Sequence, residues 1–144
     1  MIGLGRAVEF KRAFIISPLS GDVVRNIQYA KKCMHDAFAR GYAPFAGHLL
    51  YPQVLNDNDP KERMFSMNAA YAFLETCSIA LCYLDLGAST GMVADCLKGA
   101  ELKVHIEYTS ILGHIPRVDA IHGLALPHSH MPCATCQVEQ ENQK

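Results

Sequence analysis

Apolar positions along this chain alternate between short solid runs and longer stretches with helical spacing. Ala13 to Ile16 (AFII) is a short apolar run of strand length. Ser17-Pro18-Leu19-Ser20-Gly21-Asp22 follows as a turn, rich in residues that set one. Asp22 or Ser20 then caps a helix expected over Val23 to Ala39, where Val23, Ile27, Ala30, Met34, Ala37 and Phe38 keep helical spacing. Gly41 after Arg40 is its stop signal. Tyr42 to Ala46 (YAPFA) reads as a second short strand, which Pro44 weakens or places near a sheet edge. Gly47 to Asn58 reads as a loop too long to be a mere connection, and so a functional candidate. Asp59-Pro60-Lys61-Glu62 starts the next helix, with Asp59 as N-cap, Pro60 in the first position and Glu62 as the capping-box acid. That helix is expected to run to about Thr76.

Ile79 to Leu84 is a third apolar run, suited to a strand buried on both faces. Leu86 to Gly91 is a small-residue turn. Met92 to Lys98 is a helix capped by Ser89 or Thr90, with Gly99 just past its end. Leu102 to Tyr108 (LKVHIEY) alternates apolar and polar and makes a fourth strand. Strand and helix thus alternate throughout. The pattern predicts an α/β fold, a three-layer, Rossmann-like parallel sheet with helices on both faces. Residues 1 to 12 read as a lead-in, with Ile2 and Leu4 free to pack on a neighbour. Residues 109 to 144 break the rhythm, and the division expected is a domain over 1–108 and a C-terminal extension over 109–144.

At 144 residues the chain is long enough for one domain with a real core. Half of it is hydrophobic, 19% is charged and the formal net charge is −1. No basic excess or like-charge run points to a nucleic-acid polymer, and no apolar stretch approaches a membrane span. MIGLGRAVEFKRAF lacks the long apolar core of a signal peptide, so a cytoplasmic protein is expected. Cys33, Cys77, Cys82 and Cys96 lie in apolar or helical patterns and read as buried thiols, in keeping with that compartment. Arg25, Lys31 and Lys32 read as the solvated face of the first helix.

Ser78 to Lys98 carries the candidate chemistry. Two carboxylates, Asp85 at a strand end and Asp95 in the following helix, flank the turn holding Gly87, Ser89 and Gly91. In open α/β sheets, ligands sit outside the strand ends, where helix amides face an anion. The plain alternative is that Asp85 starts a turn and Asp95 is a helix-start acid favoured by the helix dipole.

Ser17-Pro18, Gly41-Tyr42-Ala43-Pro44, His48-Leu49-Leu50-Tyr51-Pro52-Gln53, Asn56-Asp57-Asn58-Asp59-Pro60 and Ser89-Thr90-Gly91-Met92 together bear a resemblance. Over about residues 12 to 108 the chain resembles the nucleoside 2-deoxyribosyltransferase-like superfamily. Within it, the chain is most similar to a small branch met in phage and bacterial genomes. Relatives include nucleoside deoxyribosyltransferases and nucleoside 5′-monophosphate N-glycosidases. The resemblance implies cleavage of an N-glycosidic bond through a carboxylate, with no cofactor. A carboxylate attacks C1′ or stabilises the cationic sugar, as in retaining glycosidases.

The resemblance puts the reacting carboxylate at Asp95 and an acid that aids the leaving base at Asp85. It puts the 5′ end, or its phosphate, on Ser89 and the amides of Gly91 and Met92, with Gly87 in the same turn. Ser17, Ser20, Gly21 and Asp22 match the loop beside the sugar, and His48 lies where the second loop approaches the base. The ligand implied is a nucleoside, nucleotide or nucleotide-derived molecule. A homo-oligomer is implied too, through the region of Met64, Phe65 and Met67.

Three departures mark this chain. Asp95 stands where the family has Glu, which withdraws the carboxylate by more than about 1 Å, a displacement that can lower a rate roughly a hundredfold. Leu19 and Ser20 stand where relatives commonly carry an aromatic residue and an arginine. The second function compatible with this pattern is a catalytically silent protein that sequesters a nucleotide signal on the same scaffold, as in phage anti-defence.

In the tail, His128 and His130 precede Cys133 and Cys136, four ligands of types zinc prefers. They crowd into nine residues, tighter than the usual two-pair zinc site. The reading favoured is a tail with incidental thiols and no bound metal.

Overall fold

The structure, a computed structural model, describes residues 9–113. Ile2 and Leu4 lie outside the described residues. So do the four residues of the zinc pattern, His128, His130, Cys133 and Cys136, and most of the extension expected over 109–144.

Four strands form one parallel sheet: β1 Lys11–Ile16, β2 Tyr42–Phe45, β3 Ile79–Tyr83 and β4 His105–Thr109. Their spatial order is β2-β1-β3-β4. Every residue of β3 is buried, as its unbroken apolar run requires of a strand covered on both faces. Pro44 lies in β2, an edge strand, where a missing N–H leaves no inner ladder bond unmade.

Helix α1 (Val23–Ala39) covers one face of the sheet and meets Ala13, Ile15, Leu81 and Tyr83 through Tyr29, Cys33 and Ala37. Helices α3 (Pro60–Leu74) and α4 (Thr90–Glu101) cover the other and meet Phe14, Ile16, Ala80 and Cys82 through Ala70, Leu74, Met92 and Cys96. The α/β class, the parallel sheet and the helices on both faces are therefore those the pattern predicts. Among the described residues, no helix is long and apolar enough to cross a membrane.

Three local differences have physical causes. The stretch expected as a plain loop from Gly47 to Asn58 contains a single helical turn, α2 (Gly47–Leu50), and a 3-10 turn over Tyr51–Gln53. Both are too short to show a period. Helix α4 runs past Gly99, which lies inside it as a close-packing residue: a Cβ there would stand 3.2 Å from Cδ1 of Ile106. The stop comes later. Leu102 caps the helix, Lys103 takes a left-handed φ of 58°, and the Lys103 and Val104 amides bond back to Ala100 and Gly99. Accordingly β4 begins at His105 rather than Leu102.

The chain leaves β1 toward β2 on one side and returns to β3 on the other. Between the carboxyl ends of β1 and β3 the connections part, and a crevice opens there, as in other doubly wound sheets.

Candidate functional site

The cleft lies at that parting. The segment after β1 contributes Ser17, Leu19 and Ser20, and the segment after β2 contributes Gly47, His48, Tyr51, Pro52 and Asp57. Helix α3 contributes Arg63, Ser66, Met67 and Ala70; the start of α4 contributes Ser89, Gly91, Met92 and Asp95. The cleft is open to solvent on one side, and the space among these residues, open solvent included, is about 740 Å³.

The first loop is held by a residue that sequence patterning did not single out. Asn26, 1% exposed on α1, donates from Nδ2 to the carbonyls of Leu19 at 3.1 Å and Ser20 at 2.8 Å. Its bonds fix the loop so that Ser17 and Ser20 face the cleft. Gly21 and Asp22 do not face it. Gly21 supplies the turn with φ of 91°, and Asp22 caps α1 by accepting from the Arg25 amide at 3.1 Å.

Ser17 is buried, and its Oγ lies 2.7 Å from Nε2 of His48. Burial pushes the His48 imidazole down to about 4, so the ring is neutral at physiological pH. A neutral ring can both accept and donate, but it is not a proton source near pH 7.

At the start of α4, Ser89 is the N-cap. Its Oγ accepts from the Met92 amide at 3.3 Å, and its own amide points to Sδ of Met92 at 3.4 Å. The Ser89 hydroxyl hydrogen stays available to a ligand. Gly91 lies at the cleft wall, and a Cβ there would stand 3.7 Å from Nη2 of Arg63. Arg63 holds Asp57 through Nη1 at 3.1 Å. A cation thus stands at the start of α4, although the first loop carries none.

Asp95 follows one turn later on α4. Burial pushes its carboxyl up to about 6, against the opposing pull of a hydrogen bond from the Tyr71 hydroxyl and the nearby Arg63 guanidinium. Tyr71 lies on α3 and, chiefly through burial and then through the Asp95 charge, keeps its proton well above the usual phenol range. Such a carboxylate is ionised at neutral pH yet only partly solvated, the state required of a nucleophile or a cation stabiliser.

Asp85 occupies a different place. It follows β3, but its carboxylate turns toward the α1 face and away from the cleft. It accepts from the hydroxyls of Tyr29 and Ser110 and from the amides of Ile111 at 3.1 Å and Leu112 at 2.9 Å. Burial raises its carboxyl, but the bonds from Ser110, Tyr29, Leu112 and Ile111 outweigh that and bring it below the usual carboxylate value. With four donors on two oxygens, Asp85 ties α1 to the chain leaving β4. Gly87, with φ of 79°, shapes the turn beside it and does not line the cleft either.

Of the residues expected at the site, the fold brings together Ser17, Ser20, His48, Ser89, Gly91, Met92 and Asp95. Gly21, Asp22, Asp85 and Gly87 stand outside as turn, cap and tie. Arg63, Tyr71 and Asn26 were missed, their only signal being polar residues placed along helices of otherwise mixed pattern, while Asp57 lies in the loop over 47–58 that was expected to be functional but was not itself named as a site residue. Among the described residues, no group of three or more His, Cys, Asp or Glu side chains could hold a metal ion.

No curated protein sequence matches the chain. Among solved structures it is similar to the 2-deoxyribosyltransferase of Bacillus psychrosaccharolyticus, at 14% identity with a TM-score of 0.54, over 76% of this chain and 79% of that one. At that identity the likeness is one of fold. The family model of a domain of unknown function, DUF7768, matches residues 11–109. That span covers β1 to β4 and both walls of the cleft, and the chain belongs to the DUF7768 family.

Proposed function

We propose that this protein cleaves the N-glycosidic bond of a nucleoside or nucleotide, as a hydrolase or a deoxyribosyl-type transferase, with Asp95 as the reacting carboxylate. One observation carries the reading: Asp95 is a partly desolvated carboxylate at the switch point of the sheet, in the cleft that also holds Ser17, His48 and Ser89. Similarity in fold to a 2-deoxyribosyltransferase agrees with it.

In the proposed step an Asp95 oxygen approaches C1′ of the sugar. The C1′–N bond breaks, its electron pair leaves with the base, and the base takes a proton from water. A bond to C1′, or a close ion pair, holds the sugar. Water, or a second base, then attacks C1′ and releases Asp95 as carboxylate. His48 stays neutral and acts through hydrogen bonds, with Ser17, where the base or sugar enters. Ser89, Gly91 and Met92 receive the 5′ end, and the Arg63 guanidinium beside Gly91 adds attraction for a 5′-phosphate. The step needs no cofactor. Asp85 takes no part in the step; its bonds tie α1 to the chain leaving β4.

We propose further that the protein acts in the cytoplasm as a homo-oligomer on small molecules, not on a nucleic-acid polymer or a membrane.

The test is incubation of the purified protein with ribo- and deoxyribonucleosides and their 5′-monophosphates. Free base is followed by chromatography and bound ligand by native mass spectrometry. Release of base from one compound supports the reading and names the substrate. Retention of one compound without release replaces it with a silent, sequestering role.

A further inference from the structure

We infer that Asp57 is a specificity residue of the cleft: as the standing counter-ion of Arg63, it limits the 5′ end of the ligand to one phosphate group. This builds on the proposed place of the 5′ end beside Gly91. Its source is the Asn56-Asp57-Asn58-Asp59-Pro60 stretch, to which the proposed reaction gives no part.

Most polar groups of that stretch are spent on a turn and on the helix behind it. The Asn56 amide donates to the Glu62 carboxylate. Asn56 Oδ1 accepts from the Asn58 amide at 3.0 Å, and the Asn56 carbonyl accepts from the Asp59 amide at 3.0 Å. Asp59 caps α3 by accepting from the Lys61 amide at 2.8 Å. The Asp57 carboxylate serves neither the turn nor the cap. It lies in the cleft wall, where its Oδ2 accepts from Nη1 of Arg63 at 3.1 Å. Oδ1 of Asp57 and Nε and Nη2 of Arg63 make no hydrogen bond among the described residues. Nη2 is the atom beside Gly91.

The pair is thus held by one bond, not by the two-bond fork that a guanidinium can make with a carboxylate or a phosphate. Both side chains are part-exposed, 42% for Arg63 and 35% for Asp57, so water and salt weaken the pair. A ligand phosphate can therefore meet Arg63 on the Gly91 side while Asp57 stays. The balance of charge decides what else can enter. Among the described residues lining the cleft, Arg63 is the one cation, Asp57 and Asp95 are carboxylates, and His48 is neutral. A first phosphate brings its charge to Arg63. A second or third would find Arg63 already shared and the Asp57 carboxylate on the same wall, and like charges so placed repel. The ligand class this selects is a nucleoside 5′-monophosphate, with di- and triphosphates turned away.

The experiment is titration calorimetry on the full chain with a nucleoside and its 5′-mono-, di- and triphosphate. It is run for adenosine, guanosine, cytidine, uridine and thymidine, at one salt concentration and without divalent cations. In the unsubstituted protein the monophosphate is expected to bind tightest. Asp57→Asn keeps the shape of the side chain and an oxygen for Arg63 but removes the charge. It is expected to tighten the monophosphate roughly twofold to fivefold and the triphosphate roughly tenfold or more, with the nucleoside moving least. Arg63→Gln is expected to leave the nucleoside as the tightest of the four. An equal change across the four ligands in Asp57→Asn, or a triphosphate that binds the unsubstituted protein as tightly as the monophosphate, overturns the inference. Weaker monophosphate binding in Asp57→Asn also overturns it, since Asp57 would then be holding Arg63 in place for the phosphate. Base release is followed in the same samples. If no base is released while Asp57→Asn still shifts the order, the proposed reaction fails and the charge limit stands. Binding by no member of any series overturns both.

Discussion

Asp85 and Asp95 stand ten positions apart, yet their environments push them in opposite directions. Asp95 is raised by burial to about 6 from an ordinary 3.8, so its ionisation opposes folding. The stability linked to it is full below about 4 and falls as pH rises through 6. Asp95→Asn is therefore expected to raise stability at pH 8 by roughly 1–3 kcal/mol in urea denaturation, with the gain gone below about pH 4. The same variant should lose turnover while keeping ligand affinity. Full turnover in Asp95→Asn would remove it as the nucleophile. Asp85 is lowered, so its contribution is fully present above the ordinary carboxylate value and is lost as pH falls from there through its lower folded value. Asp85→Ala leaves the Ile111 and Leu112 amides without their carboxylate. It should reduce stability by about 2 kcal/mol, read from the denaturation midpoint, with base release unchanged at temperatures where it stays folded. Arg63→Ala should weaken a 5′-monophosphate about tenfold more than the matching nucleoside, measured by calorimetry.

At the scale of elements, legibility followed locality. Helix α1 spans Val23–Ala39, as its cap, its apolar spacing and Gly41 require, because every determinant is within the segment. Helix α3 starts at Pro60, behind the Asp59 cap, for the same reason. Gly99 misled because a glycine in a helix means either a stop or a close approach, and the deciding neighbour, Ile106, belongs to β4. The site was legible to the same extent. Ser17, His48, Ser89 and Asp95 lie at the carboxyl ends of strands or the starts of helices, where patterning places ligands. The contrast between Asp85 and Asp95 depends on which face of the sheet each side chain turns to, and no local pattern records that. Arg63 and Tyr71 stayed hidden because their partners, Asp57 and Asp95, lie on other segments. Asn26 likewise looks like an ordinary helix residue until its two bonds to the first loop are seen. Asn26→Ala should loosen that loop, with a loss of about 2 kcal/mol in stability and a raised KM.

For the whole molecule, α3 is the element with two duties. Arg63, Ser66, Met67 and Ala70 line the cleft. On the rest of its circumference Met64 is 64% exposed, Phe65 70% and Phe73 49%, and the neighbouring turn leaves Leu50 49% and Val54 76% exposed. A helix apolar on both sides is expected to have both covered, since contiguous exposed apolar surface marks an interaction site. A second copy of this chain is the cover proposed here, consistent with the oligomer implied by sequence resemblance at Met64, Phe65 and Met67. Sedimentation velocity should then show a dimer or larger species, and Phe65→Glu should shift it toward monomer by placing a charge in the apolar contact. Because α3 also carries Tyr71 and Arg63, the monomer formed by Phe65→Glu should release base more slowly although no cleft residue has changed. A monomer in the unsubstituted protein would remove the oligomer and leave α3 as a wall of a self-sufficient cleft. Slower base release by the Phe65→Glu monomer, with an unaltered melting temperature, would instead make assembly a condition for the alignment of Asp95.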